Sequence, residues 1–355
     1  MVKISGTPLS IAAVGFAALT QAAPSTEERA WKKVRVQAHR GGLGLRPEST
    51  AYAFAYAMEI GANVLEMDMV FTKDGIPVIW HDHQISGTKC KDTTGNFVGK
   101  FIANITLAEL KTLDCGSMQL SSYKQAKLAP GAQIQTLEEV LDLVECYGDS
   151  QVEINLETKL DPIVSNETFP LQAYVDNIIP ILKRRRFDKR TYIQSFDWRT
   201  LIGIKKKFPS TRTVALIDDT NIIPDDRGVS GYPWLGGIDL QKDYGGDWVK
   251  AAKSIKATVL SPVHGTGGGT ANSPEYKPFV TKEVVERAHK LGLQVVPWTV
   301  DDEVTIDKLI TDGVDMIISD YPERVKHVAR DRGYASGLRT REPRPQCLSE
   351  ASLQL

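Results

Sequence analysis

Apolar and polar positions alternate along this chain with two periods, and the changes between them mark out strands and helices. The run from Gly61 to His83, GANVLEMDMVFTKDGIPVIWHDH, holds the most informative pattern. Residues 64–71 are apolar and mostly bulky apart from Glu66 and Asp68, the composition of a strand covered on both faces. Residues two apart in a strand share a face, so Glu66 and Asp68 point together. Thr72-Lys73-Asp74-Gly75 has hairpin chemistry with Asp-Gly at its tip, and it is too short for a parallel crossover. Residues 77–80 are therefore expected to run back antiparallel, folding His81 toward the two carboxylates.

The rest of the chain falls into βα units. A short apolar strand at 34–38 runs into His39-Arg40-Gly41-Gly42, and Ser49-Thr50 supply capping chemistry for a helix that Gly61 stops. At 151–159, Glu153, Asn155, Glu157 and Lys159 alternate with Val152, Ile154 and Leu156, which sets a polar row on one strand face. A helix is expected on either side of it, at 136–146 and 170–186, so the row faces a site rather than bulk solvent. Further strands are expected at 192–196, 213–217, 258–263, 293–300 and 316–319, with helices between them. Leaving out the antiparallel run, eight strands at this spacing predict an α/β fold of the (β/α)8 TIM-barrel type, with its site at the strands' C-terminal ends. Residues 84–133 break the rhythm; they are polar and turn-rich and are expected to form a small inserted cap. The barrel domain is expected over 24–332, and 333–355 as a poorly ordered tail.

The N-terminus changes the picture of where the protein works. Lys3, an apolar stretch at 11–19 and small residues up to Ala23 make a cleavable secretory signal over 1–23, too short for a stable membrane anchor. A secreted chain turns its four cysteines into a disulfide question. Cys90 and Cys115 bracket the polar insertion and are the favoured pair; Cys146 fits a buried free thiol, and Cys347 fits either state. Asn104-Ile105-Thr106 and Asn166-Glu167-Thr168 are acceptor sequons for glycosylation in the same compartment. The 355 residues carry a net charge of −1, which provides no electrostatic footprint for nucleic acid or an anionic membrane.

Two like charges in a covered sheet repel, and each lone buried charge costs several kcal/mol. A divalent cation removes the conflict, and carboxylate oxygens suit Mg²⁺ or Ca²⁺ equally. Glu66 and Asp68 are the primary candidate ligands, Glu157 can join them, and Lys159 stands beside it.

Taken in order, His39-Arg40-Gly41, Pro47-Glu48, Gly61-Ala62, Glu66-x-Asp68, Thr72-x-Asp74-Gly75, His81-Asp82, Glu157-x-Lys159, Gln194-Ser195-Phe196, Trp298-Thr299-Val300 and Ser319-Asp320-Tyr321-Pro322 resemble the glycerophosphodiester phosphodiesterases. The resemblance spans roughly residues 34–325. It implies a metal-dependent TIM barrel that hydrolyses glycerophosphodiesters, as small-molecule substrates, to glycerol 3-phosphate and an alcohol. By the same resemblance Glu66, Asp68 and Glu157 hold the cation, and His39 and His81 are the acid/base pair. Arg40 and Lys159 bind phosphate, Glu48 supports the His39 loop or lies close to the metal, and Trp298 packs against the glycerol. Ser49 stands where the family pattern often has Asn, which bears on a supporting hydrogen bond rather than on the chemistry. Two competing readings are a phospholipase of the same barrel type, acting on lysolipids or intact lipids, and a non-catalytic barrel. The first calls for an apolar rim, and the second for a lost histidine or carboxylate.

Overall fold

A computed structural model describes residues 1–2, 33–164, 166–224 and 231–350. The chain divides into Met1–Trp31 and Lys32–Leu355, and the barrel belongs to the second unit. The expected leader at 1–23 lies, beyond its first two residues, outside the described residues.

Eight parallel strands follow one another around a ring, each succeeded by a helix. They are β1 (Arg35–Ala38), β2 (Val64–Phe71), β3 (Glu153–Thr158), β4 (Thr191–Ser195), β5 (Arg212–Ile217), β6 (Val259–Pro262), β7 (Gln294–Val295) and β8 (Met316–Ser319). The helices are α1 (Ala51–Glu59), α2 (Leu137–Cys146), α3 (Leu171–Arg184), α4 (Trp198–Lys207), α5 (Trp248–Ser254), α6 (Lys282–Lys290), α7 (Glu303–Asp312) and α8 (Pro322–Asp331). Ladders join β7 to β6 and so on through β2 and β1 to β8. The remaining seam is closed by backbone bonds, Asp315 N–H to Val295 O and Ile318 N–H to Pro297 O, both 3.0 Å. The helices start where the side chains dictate: Thr50, Thr136, Asp197, Asp247, Thr281 and Asp302 each accept a bond from a first-turn N–H.

The barrel interior is graded along its axis. Near its N-terminal end Glu153 lies between Arg35 and Arg212, accepting from Arg212 Nη1 at 2.6 Å. Above it Val64, Val214, Val259, Met316 and Ile318 form an apolar layer. Next, Asn155 donates to Gln37 at 3.0 Å and to Gln194 at 2.7 Å. The register sets Asp68 beside Glu157, and Glu157 beside Gln194, at the C-terminal end. On the outward side of β2, Leu65, Met67, Met69 and Phe71 pack into the main apolar core with the helices. The polar row of β2 and β3 is thus forced inward by its apolar neighbours.

Residues 77–79 do run antiparallel to β2, with Val70 opposite Val78, and 135–136 add a third short strand. The insertion is more than polar loop: Val70, Trp80, Ile85, Ile102 and Leu113 form a second apolar core, stapled by Cys90–Cys115.

The expectation of a loose tail is corrected over 333–350. Leu338 N–H donates to Gly61 O at 2.6 Å, Gly337 N–H to Asn63 Oδ1 at 3.1 Å, and Arg341 Nε to Asp149 Oδ2 at 2.8 Å. A helix at Pro345–Glu350 carries Cys347, which is bonded to Cys146; neither cysteine is a free thiol. Backbone bonds, one ion pair and this bridge hold the segment, and its apolar contacts with the core, from Tyr334, Leu338, Cys347 and Leu348, are too scattered to form a period in the sequence. The Cys146–Cys347 bridge spans 201 residues, and constraining so long a loop in the unfolded chain stabilises by about 2–4 kcal/mol. Cys347→Ser is expected to lower unfolding free energy by that amount in urea titrations.

Candidate active site

The turn after β1 is the tightest piece of backbone in the site. His39–Gly41 forms a single 3-10 turn in which Arg40 takes φ 50°. Gly41 is required there, because at φ +84° a Cβ would lie 2.7 Å from the Ala53 side chain. Ser49, also left-handed at φ 59°, donates its N–H to Arg40 O at 2.9 Å. Left-handed non-glycine residues are costly and persist only where surrounding bonds hold them. Arg40 is so held: its N–H donates to Glu66 Oε2 at 3.0 Å, Nη1 to Glu48 Oε2 at 3.1 Å, and Nε lies 3.3 Å from Asp68 Oδ2.

Glu66, Asp68 and Glu157 are buried, and each brings a carboxylate oxygen within 4.8 Å of the others. Lys159 Nζ lies 2.9 Å from Glu157 Oε1 and 3.7 Å from Asp68 Oδ1. Gln194 Nε2 donates to Glu66 Oε1 at 3.1 Å. Burial beside Asp68 pushes the Glu66 carboxyl up to about 8. Burial acts the same way on Asp68, but His81, Arg40 and Lys159 outweigh it and hold that carboxyl below the usual range. Burial also raises Glu157, against the pull of Lys159. The cluster fits a divalent cation: three hard oxygen donors converge, and buried Asp68 Oδ2 has no hydrogen-bond donor. Glu48 is not one of the three. It sits to one side as a bridge, taking Arg40 on one oxygen and Lys89 Nζ on the other at 2.9 Å.

Both histidines flank the cluster and are anchored alike. His39 Nδ1 lies 2.6 Å from Asp320 Oδ1, leaving Nε2 at 4.0 Å from Glu66. His81 Nδ1 lies 2.7 Å from Asp82 Oδ1, and Asp82 also accepts from Lys89. Their protonation preferences diverge. Burial and Lys159 push His81 down to about 4, despite Asp68. Burial and Arg40 act in the same sense on His39, but Asp320 and Glu66 outweigh them and its pKa is raised. Two imidazoles with opposed shifts in one site make a base and an acid available together.

Trp298 is on the rim, edge-on to Phe196 at 5.3 Å, with its indole N–H on Ser261 O at 2.9 Å. It also packs against the apolar layer inside the barrel. His83 meets Glu167 at 3.3 Å, and His264 stacks on Tyr276. A cavity of about 690 Å³ opens beside His81 and Lys159, lined by Ser86, Gly99, Glu167 and Val98 among others. Periodicity could reveal Glu66, Asp68 and Glu157, because they interrupt apolar strands. It could not assign Lys89 and Tyr123, which lie in the irregular insertion, or show that Asp320 serves His39.

Known proteins share this arrangement of chain. The family described as Glycerophosphoryl diester phosphodiesterase matches residues 39–324. The glycerophosphodiester phosphodiesterase of Caldanaerobacter subterraneus subsp. tengcongensis is 30% identical over 301 residues, 85% of this chain and 100% of that protein. The Bacillus subtilis enzyme of the same name is 27% identical over 302 residues, 82% of this chain and 85% of its own. Among solved structures, a Silicibacter pomeroyi chain is similar with TM-score 0.70 and 29% identity, covering 86% of this chain and 96% of that one. An Oleispira antarctica phosphodiesterase, solved in complex with the product sn-glycerol-3-phosphate, has TM-score 0.59 and 26% identity, with 83% and 96% covered.

Folded Glu66 keeps its proton where an unfolded glutamate has lost it, so its contribution to stability is full below 4.5 and is lost as pH rises toward 8. His39, raised in the fold, acts in the same direction. His81, lowered to about 4, acts in the opposite sense below 6.5, so in chelator unfolding free energy is expected to fall as pH rises from about 6.5 toward 8. Added Mg²⁺ or Ca²⁺ should stabilise more strongly across that interval, since a ligating carboxyl must release its proton. Thermal and urea unfolding check both, and Glu66→Gln should reduce the slope and remove the ion's effect.

Proposed function

The chain belongs to the glycerophosphodiester phosphodiesterase family and hydrolyses glycerophosphodiesters to sn-glycerol 3-phosphate and an alcohol; we propose that it does so at the Glu66, Asp68 and Glu157 cluster with His39 and His81 as proton carriers. The observation that carries this reading is the pair of imidazoles, each fixed through Nδ1 by an aspartate and each leaving Nε2 to act. His81, held neutral, accepts the proton of the attacking hydroxyl. His39, its Nδ1–H on Asp320, gives a proton from Nε2 to the departing alcohol oxygen. Arg40 and Lys159 bind the phosphate oxygens and offset the charge that grows on them. Glu66, Asp68 and Glu157 would hold a divalent cation, Mg²⁺ or Ca²⁺, which would add Lewis-acid stabilisation of that charge.

Where the attacking group is the neighbouring glycerol hydroxyl, its oxygen displaces the alcohol and closes a cyclic phosphate. In the second step water attacks and the ring opens to glycerol 3-phosphate. The wide cavity beside His81 has room for that hydroxyl-bearing substituent. Its lining sets Ser86, His83 and Glu167 beside Ile85 and Val98, and the polar groups among them support binding of a deacylated substrate.

We place the protein outside the cytosol. The leader pattern at 1–23, two disulfides and the exposed Asn104 and Asn166 sequons support export. Sequencing the secreted protein is expected to find its first residue at Ala23 or Pro24.

The test of the reaction is release of glycerol 3-phosphate from glycerophosphocholine, with EDTA and with Mg²⁺ or Ca²⁺ restored. EDTA should stop release, and His81→Ala should lower kcat by about 10²–10⁴-fold with the ion present. Folded His81→Ala protein that retains full activity would overturn the assignment. A substrate lacking the neighbouring hydroxyl should not be cleaved; equal cleavage would rule out the cyclic route.

A further inference from the structure

Besides Lys89 on Asp82 and Glu48, the inserted cap touches the catalytic machinery at a second point, remote from its own core. Residues 120–127 lie across the barrel mouth, against the turn after β1 and the end of β8. Lys127 N–H donates to Leu45 O at 3.0 Å, and Gln125 Nε2 to Gly44 O at 3.2 Å and to the Tyr321 hydroxyl. Within this segment the Tyr123 hydroxyl donates to Asp320 Oδ2 at 2.6 Å, while Asp320 Oδ1 holds His39 Nδ1 at 2.6 Å. The backbone N–H of Asp320 is separately fixed, on Asp301 Oδ1 at 2.9 Å.

We infer that Tyr123 is a positioning residue for the reaction: the cap, through its hydroxyl, locks the Asp320 carboxylate in the rotation that aims His39 at the substrate. This rests on the reading of His39 as a proton carrier. The physical reason is geometric. A carboxylate on a single side-chain bond can turn, and a turn of Asp320 would release His39 Nδ1 and let the ring swing. With one partner on each oxygen, that rotation breaks two short bonds in a buried site, where lost hydrogen bonds are most costly. An aspartate behind a catalytic imidazole fixes both tautomer and orientation. Tyr123 adds a further support, contributed by a part of the chain outside the βα repeat. The phenol is fit for this: burial and Asp320 push its ionisation far above the usual tyrosine range, so it stays a donor.

Tyr123→Phe removes the donor and keeps the ring. Outer partners of this kind typically matter by 10–100-fold, so kcat for glycerophosphocholine is expected to fall about 10-fold or more with KM within about twofold. In proton NMR of the wild type, the low-field ring N–H of His39, identified by its loss in Asp320→Asn, should shift or broaden in Tyr123→Phe. Because Tyr123 acts through Asp320, the double variant should lose no more activity than Asp320→Asn alone. Gln125→Ala, which loosens the same segment without touching Asp320, is the control and should leave kcat and the resonance in place. Circular dichroism and the melting temperature establish that each variant is folded; the additivity test then stands on activity and the resonance on structure.

Unchanged kcat and an unchanged resonance in Tyr123→Phe would overturn the inference. So would a Gln125→Ala variant that reproduces the whole loss, because seating of the cap would then suffice. Wild-type protein that cleaves no glycerophosphodiester would instead overturn the reading of the site itself, a result seen before any variant is compared.

Discussion

Three carboxylates drawn together inside a sheet covered by helices are the constraint on which the rest of this site depends. Glu66, Asp68 and Glu157 are buried at the barrel mouth because Leu65, Met67 and Leu156, their neighbours in sequence, claim the apolar side of the same strands. Strand periodicity leaves them no other direction. Their mutual repulsion then has to be met by cations and donors. Arg40 adopts a left-handed backbone with its amide on Glu66 and its guanidinium against Asp68 and Glu48. Lys159 leans on Glu157, and Gln194 is spent on Glu66. The groups that would bind a phosphodiester are those already recruited to make the carboxylates tolerable. Conflict in the barrel core and affinity for an anion have one origin.

The same charge field separates the two histidines. His81 is buried with Lys159 nearby and its pKa is pushed down to about 4, whereas His39 faces Asp320 and Glu66 and its pKa is raised. Neither outcome belongs to the imidazole alone. Opposed surroundings shift identical side chains in opposite directions, which suits one to accept a proton and the other to give one. Their anchoring aspartates come from different places. Asp82 is the next residue in the chain, and Asp320 arrives from the end of the last strand, far away in sequence. Barrel closure is therefore a condition for the His39–Asp320 contact, because only a closed ring brings β8 beside β1.

That difference explains what is legible in the chain alone. The barrel is legible because eight βα units repeat a period, and the carboxylates are legible because they interrupt it. His81 is placed by a hairpin whose turn residues are local chemistry. The supports of the site follow no period. Tyr123 and Lys89 come from an insertion whose apolar core is built from scattered residues, among them Trp80, Ile102 and Leu113. Asp320 has the look of an ordinary residue at a strand end, and nothing in its neighbours names His39 as its partner. The C-terminal segment escapes a reading of the pattern for a related reason. It is fastened by backbone bonds, an Arg341–Asp149 ion pair and the Cys146–Cys347 bridge, with Tyr334, Leu338 and Leu348 against the core at spacings that leave no amphipathic trace.

Ser49 shows how far the electrostatic demand overrides local preference. It sits left-handed at φ 59°, fully buried, with its hydroxyl lacking a hydrogen-bond partner. Asparagine tolerates that backbone region better than serine, and a lone buried hydroxyl is itself unfavourable. On local grounds this is a poor residue for the position. The position nonetheless holds, because the Ser49 N–H closes the turn that carries Arg40, and Thr50 immediately caps α1. Relaxing Ser49 to an ordinary conformation would move Arg40 off Glu66 and Asp68, leaving buried charge unpaired. Loss of a partner from a buried charge costs about 3–5 kcal/mol, against roughly 1–3 kcal/mol for a strained residue. Unpaired charge is the heavier penalty, so the backbone yields to the charges.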